Sequence, residues 1–343
     1  MSYLTRGVLA LFLSSSLASA AEINIGVYGG DNAKAQQQAW HNSWSQESGH
    51  IANAVMLGGR LEPIREQVAN GRSNYHVVEL NSVDTAKACD SGLLERLSFA
   101  NMGFNSQVLL KGAVNACGVG FLVFSNVLAY SPKYVKNPPK SWADFWDVNK
   151  YPGKRALRKT ALYSLEFALM ADGVEAKDVY TVLMTKEGQD RAFAKLSQLK
   201  PNIVWWRDEN IPNILQRLST GEIAMTSMFN GRIGKDLKAR GVNFTWQDAI
   251  YDMDYWAIPK GVNNQEAAQS FIKFSLQPQN QRVFIGLIDY GPSNRLAMDL
   301  VTEEEKEALP TAPENIVQQL AVNEFFWADY GEQLERRFEQ WVK

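Results

Sequence analysis

EINIGVYGGDNAKAQQQAWHNSWSQESGHIANAVMLGGRLEPIREQVANGRSNYHVVEL, residues 22–80, decides the fold class. Its opening run, 22–28, alternates apolar residues and stops at Gly29-Gly30, the mark of a strand that ends in a tight loop. Residues 34–48 are polar, studded with aromatics and free of Pro and Gly, which predicts a helix. A second strand is expected at 51–56, a helix at 61–70 closed by Gly71, a third strand at 76–80 and a helix at 83–90. Strand and helix alternate, so the expectation is an α/β domain with a largely parallel sheet.

The same texture continues. GVGFLVFSNVLAY (118–130) reads as a buried strand, and Pro132, Pro138 and Pro139 then punctuate the chain. Ser141 is placed to cap a short helix, WADFWDV. Strands are expected at 155–157, 223–228 and 255–258. Helices are expected at 162–172, 177–184, 188–199, 211–220, 233–239, 264–275 and 278–287, with two more at the C-terminus. A chain of 343 residues strains a single core, and two lobes are the natural division. With no Pro/Gly/Ser linker, the chain is expected to cross between the lobes more than once.

Composition removes several function classes. Lys+Arg is 35 against Asp+Glu 37, a formal net charge of -2, which gives no support to a nucleic-acid binder. Ten Trp, 12 Tyr and 16 Phe in a chain that is 45% hydrophobic are too many for a disordered protein. Two cysteines and three scattered histidines (His41, His50, His76) offer neither an all-cysteine zinc site nor a histidine cage. No phosphate loop, dinucleotide fingerprint, nucleophile elbow or HExxH helix is present. SxxK occurs at Ser197 and Ser270 without the partner motifs of a serine acyl-enzyme. No metal and no cofactor are expected, and the positive case for an enzyme is thin.

The N-terminus, MSYLTRGVLALFLSSSLASA, has the cationic start, apolar centre and small-residue cleavage site of a secretory signal over residues 1–20. Serines interrupt the apolar run too early for a membrane span. The mature protein is therefore expected to be exported. In an oxidising compartment, Cys89 and Cys117 are expected to form one disulfide.

Four blocks in order carry a family resemblance: SWADFWDVNKYPGKRAL (141–157), MFNGR (228–232), DMDYWAIPKGVNNQEAAQSFIKFSL (252–276) and YGPSN (290–294). With them, essentially the whole mature chain resembles the spermidine/putrescine-binding family, the periplasmic receptors of ABC importers. The resemblance implies two α/β lobes joined by hinge strands, with a ligand cleft between them and closure about the hinge. It divides the chain into 21–127 plus about 256–300 for one lobe and 128–255 plus about 301–343 for the other. It also implies a monomer that docks on inner-membrane permease subunits.

In the polyamine receptors, aromatic rings sandwich the ligand chain and carboxylates hold its ammonium ends, as cation–π attraction and the cost of burying an unpaired charge require. Carried over by position, the family's acid pair falls on Tyr163 and Glu166. Its tryptophan before Asn-Gly becomes Phe229, and its Trp-Met-Asp signature becomes Asp252-Met253-Asp254. The first-strand loop is Gly29-Gly30 with Tyr28 before it, so Gly30 replaces an aromatic position. The loop after the third strand falls on Asn81 and Ser82. At least two aromatic clamps are therefore missing.

Trp205-Trp206-Arg207 approaches the cleft, and Trp206 and Arg207 join the candidate set, the arginine as a bidentate clamp for a carboxylate. Arg207 facing Asp252 or Asp254 would suit a zwitterion with separated charges. A short ω-amino acid such as 4-aminobutyrate (GABA) or 5-aminovalerate is accordingly favoured over putrescine or spermidine. Plainer roles stand beside these: Glu166 as a helix-face acid, Arg207 as a surface ion pair, Asp254 as a hinge cap and Phe229 as core. The rivals in function are an exported enzyme using Glu166 and Asp254, and a receptor for a chemosensory system.

Overall fold

The computed structural model describes residues 20–72 and 74–343. The expected signal segment lies outside the described residues, apart from Ala20. One mixed sheet runs through the molecule in the order β2-β1-β3-β8-β4-β7-β5-β6. Its strands are β1 (Glu22–Val27), β2 (Ile51–Met56), β3 (Val77–Asn81), β4 (Gly118–Tyr130), β5 (Lys154–Arg158), β6 (Ile203–Trp206), β7 (Ile223–Phe229) and β8 (Asn243–Ala257). Two short strands, β9 (Gly291–Pro292) and β10 (Leu320–Ala321), pair with β4 and β8 respectively.

The two ends of the sheet are parallel and its centre is antiparallel. β1 pairs in parallel with β2 and β3, and β5 with β6 and β7, as helical crossovers require. β8 runs antiparallel to both β3 and β4, and β4 antiparallel to β7. The expectation of a largely parallel sheet thus holds for each end and fails at the joint between them.

β4 and β8 are long enough to belong to two cores. Val119, Phe121, Val123, Met253, Tyr255 and Trp256 pack in one cluster with Ile23, Trp40 and Phe271, whereas Leu128, Tyr130 and Ile250 pack in another with Trp142, Phe167 and Trp327. The register of the pair breaks between Gly120 and Leu122, inside the first cluster, and again between Asn126 and Leu128, where the strand passes to the second. The first cluster reaches Leu309, and the second takes up again from Val322. Stacked rings fill the first cluster, with Phe121 on Trp256 at 3.8 Å and Trp40 on Phe284 at 4.4 Å. Rings of this size contribute about 2–3 kcal/mol each when fully buried.

Two sequence expectations require correction. The strand expected at 255–258 is instead fifteen residues, Asn243–Ala257. Its first two thirds, NFTWQDAIYD, lack a clean apolar alternation, and pairing with β4 makes them a strand. The helix expected at 34–48 starts at Gly30 and contains a π turn, Gln37–His41, before resuming at Asn42–Ser48. Cys89 and Cys117 form a disulfide with their Cα atoms 5.8 Å apart, as expected for an exported chain.

Candidate functional site

The side-chain period of two brings a row of acids onto one face of the central sheet. Asn81 of β3 lies opposite Asp254 of β8, and Asp254 and Asp252 lie opposite Leu122 and Phe124 of β4. Glu79, two residues before Asn81, shares that face. Glu79, Asp252 and Asp254 are all buried.

β1 delivers Tyr28 to this row. Its backbone N–H donates to Glu79 Oε2 at 2.9 Å, and its hydroxyl accepts from the Asn81 backbone N–H at 3.0 Å. Asn81 caps the helix Ser82–Asp90 by accepting from the Asp84 N–H at 2.8 Å. Gly30, with φ +66°, begins the helix after the loop. A Cβ on Gly30 would be strained and would lie 3.1 Å from Nη1 of Arg232, so glycine admits that guanidinium.

The far half of the sheet supplies rings and cations. Phe229, at the end of β7, meets Tyr163, Phe124 and Trp206 edge-on, with centroids 5.5–6.3 Å away. Tyr163 is buried with φ +72°, a left-handed conformation that costs a tyrosine energy and that accumulates at ligand sites. Arg158, at the end of β5, holds Asp208 with two hydrogen bonds of 3.0 and 2.7 Å and lies 5.6 Å from the Phe229 centroid. Arg232 hydrogen-bonds Tyr290, while its Nε is buried without a partner.

Burial dominates the electrostatics. It pushes Asp252 up to about 7, against hydrogen bonds from Ser82 and from the Met253 N–H at 2.7 Å. Asp254 is pushed well above the usual carboxylate range by burial and then by the charge of Glu79. Burial and the Asp252 charge raise the Tyr163 phenol; Tyr290 rises to about 12 for the same first reason, although Arg232 opposes it.

Most of the residues singled out from the sequence thus converge: Tyr28, Gly30, Asn81, Tyr163, Phe229, Asp252 and Asp254 surround one region between the halves of the sheet. Glu166 is buried and turned to the C-terminal helix, Glu324–Val342, accepting from Trp327 Nε1 at 2.7 Å and the Tyr180 hydroxyl at 3.2 Å. Trp206 packs in a third cluster with Ile214 and Met228. Its neighbour Trp205 meets Phe338 and Trp341 on the other side, as alternate faces of a strand require. Arg207 is exposed and lines a cavity of about 280 Å³ between the C-terminal helix and the ends of β5 and β6.

Sequence reasoning passed over Glu79, Arg158, Arg232 and Tyr290. An acid inside the apolar run HVVEL was a readable signal for Glu79. Arg232 and Tyr290 stand in two of the blocks that carry the resemblance. Arg158 left no signal, since only the fold aims it at Phe229. Among the described residues no cluster of three or more His, Cys, Asp or Glu is arranged to hold a metal ion.

Comparisons with known proteins show the family of the chain. Residues 62–313 match the family model for bacterial extracellular solute-binding proteins. The chain is 42% identical over 333 residues to a gamma-aminobutyric acid-binding protein of Pseudomonas aeruginosa, covering 96% of this chain and 94% of that one. Among solved structures, an ABC transporter substrate-binding protein from Bradyrhizobium japonicum superposes with a TM-score of 0.87 at 31% identity, covering 94% of this chain and all of that one. A GABA receptor superposes with a TM-score of 0.85 at 28% identity, covering 94% and 98% of the two chains. The chain therefore belongs to the bacterial extracellular solute-binding protein family, with the two-lobe fold of periplasmic binding proteins and the role of an ABC-importer binding component.

Proposed function

We propose that the protein captures a short ω-amino acid, 4-aminobutyrate foremost, in the periplasm and hands it unchanged to a membrane permease. One observation carries the reading: the site presents both signs of charge. Asp254, beside Glu79 and Asp252, offers an anionic end for an ammonium group. Arg232, with its unpartnered buried Nε, offers a guanidinium for a carboxylate. Tyr290 stands between them, hydrogen-bonded to Arg232 and within electrostatic reach of Asp254 and Glu79. A diamine would meet the acids and be repelled by Arg232, whereas a zwitterion satisfies both ends. Phe229, Tyr163 and Tyr28 are then the walls around the aliphatic chain, and Arg207 stands at the rim. The whole-chain likeness to a GABA-binding protein supports the same ligand.

In this reading the lobes are residues 21–127 plus 256 to about 310, and 128–255 plus the C-terminal segment, with β4 and β8 as hinge strands. The ligand draws the lobes together and the closed form docks on the permease. The test is calorimetric titration with 4-aminobutyrate, 5-aminovalerate, putrescine and spermidine, with recovery of the ligand afterwards. The amino acids should bind and return unaltered. Binding of the diamines alone would overturn the ligand assignment, and a converted ligand would overturn the receptor role.

A further inference from the structure

Glu79 and Asp254 are buried diagonal neighbours on one face of the β3–β8 pair, within reach of a carboxyl-to-carboxyl hydrogen bond. A carboxylate only accepts, so such a bond needs a proton held by one of the two. Glu79 is the better candidate to be ionised, because it already accepts from the Tyr28 N–H at 2.9 Å, Asn32 Nδ2 at 2.7 Å and Gln36 Nε2 at 2.8 Å. Asp254 takes none of those donors. The titratable groups around the pair are Asp84, Asp252, Tyr28, Tyr163, Tyr290, Arg158 and Arg232. Two of these are further acids, and of the two cations Arg158 is held by Asp208 and Arg232 is bonded to Tyr290.

We propose that Glu79 and Asp254 form a one-proton acid unit that exchanges its proton for the ammonium group of the ligand. When the amine arrives, the Asp254 O–H bond ionises, its proton leaves to solvent, and both carboxylates face the cation. Capture of one ligand thus releases up to one proton, and affinity rises with pH. Glu79 is a positioning and specificity residue: it orients Asp254 and makes the pocket favour a cation over a neutral amide. This rests on the reading that the site takes an ammonium group. Burial and the neighbouring acids, which hold Asp254 well above the usual carboxylate range, agree with it.

The experiment is titration of the mature protein with 4-aminobutyrate at pH 7 in phosphate and in Tris, whose ionisation enthalpies differ. The difference in observed heat counts protons released. About 0.5–1 proton per ligand is expected for the wild type, near zero for Glu79→Gln, and an unchanged count for Glu166→Gln, whose carboxyl is turned to the C-terminal helix away from the site. Affinity of the wild type should strengthen by up to about tenfold per pH unit between pH 6 and 8, a readout that needs no variant. No proton released across that range would overturn the inference, as would loss of the release in Glu166→Gln instead of Glu79→Gln. If putrescine binds and 4-aminobutyrate does not, the ligand assignment fails, and the same proton count made with putrescine still decides the acid unit.

Discussion

Replacing Arg232 by glutamine should convert an amino-acid site into one that no longer rejects diamines. Arg232 follows β7, hydrogen-bonds Tyr290, and brings Nη1 within 3.1 Å of where a Gly30 side chain would begin. Its Nε is buried and unpartnered, the group left over for a ligand carboxylate. Truncating one member of a buried, hydrogen-bonded charge pair costs about 2–5 kcal/mol. Taking ~3 kcal/mol at ~1.4 kcal/mol per decade, 4-aminobutyrate should bind about 100-fold more weakly. For putrescine the sign reverses. A second ammonium about 5 Å from the guanidinium is repelled by ~3 kcal/mol at an effective dielectric of ~20, and Arg232→Gln removes that term.

Calorimetry of both ligands on wild type, Arg232→Gln and Arg207→Ala, with thermal melts as a folding control, measures the change in selectivity directly. The preference for the amino acid should fall by at least about 100-fold in Arg232→Gln and stay within about threefold in Arg207→Ala, whose side chain is exposed. A fall confined to Arg207→Ala would refute the assignment of the carboxylate clamp.

Two stability predictions follow from buried groups away from the ligand. Burial raises Glu166 to about 7, against the pull of its bonds from Trp327 and Tyr180. The native state therefore holds this proton more tightly than the unfolded chain, so the contribution of Glu166 to stability is greatest at low pH. It declines as pH rises from about 4.5 to about 7. Denaturant melts at pH 5 and pH 8 should show a smaller pH difference in Glu166→Gln than in the wild type, and an equal difference would remove Glu166 from the account. Opening the Cys89–Cys117 bridge, which spans a sequence separation of 28, should destabilise the protein by about 3–4 kcal/mol in the chain-entropy picture. Melts of Cys89→Ser with Cys117→Ser against the wild type measure it, and a loss below about 1 kcal/mol would contradict that picture.

Local pattern was enough for the elements whose residues alternate or repeat cleanly. β2 and β4 occur at the residues read from the chain, and β1 and β3 within one or two residues, because buried strands are written as short apolar runs ended by glycine or a cap. The chain also disclosed its family, since the ordered blocks around Trp142, Asn230, Asp254 and Gly291 survive where the pocket aromatics have changed. It made Asp254 and Asp252 conspicuous as acids at the edge of an apolar strand. The antiparallel joint of β8 with β3 and β4 was not legible, nor was the true length of β8, because strand pairing is a contact between residues more than a hundred positions apart. The partners of the acids were decided the same way. Glu79 reaches Asp254 only through the β3–β8 register, Arg232 approaches Gly30 only across two chain segments, and Glu166 meets Trp327 only when the C-terminal helix packs back. The resemblance carried by the ordered blocks implied a cleft between two lobes. Which charges face each other inside it was settled by tertiary structure, because electrostatic partnership depends on distance in space and burial, neither of which is local in sequence.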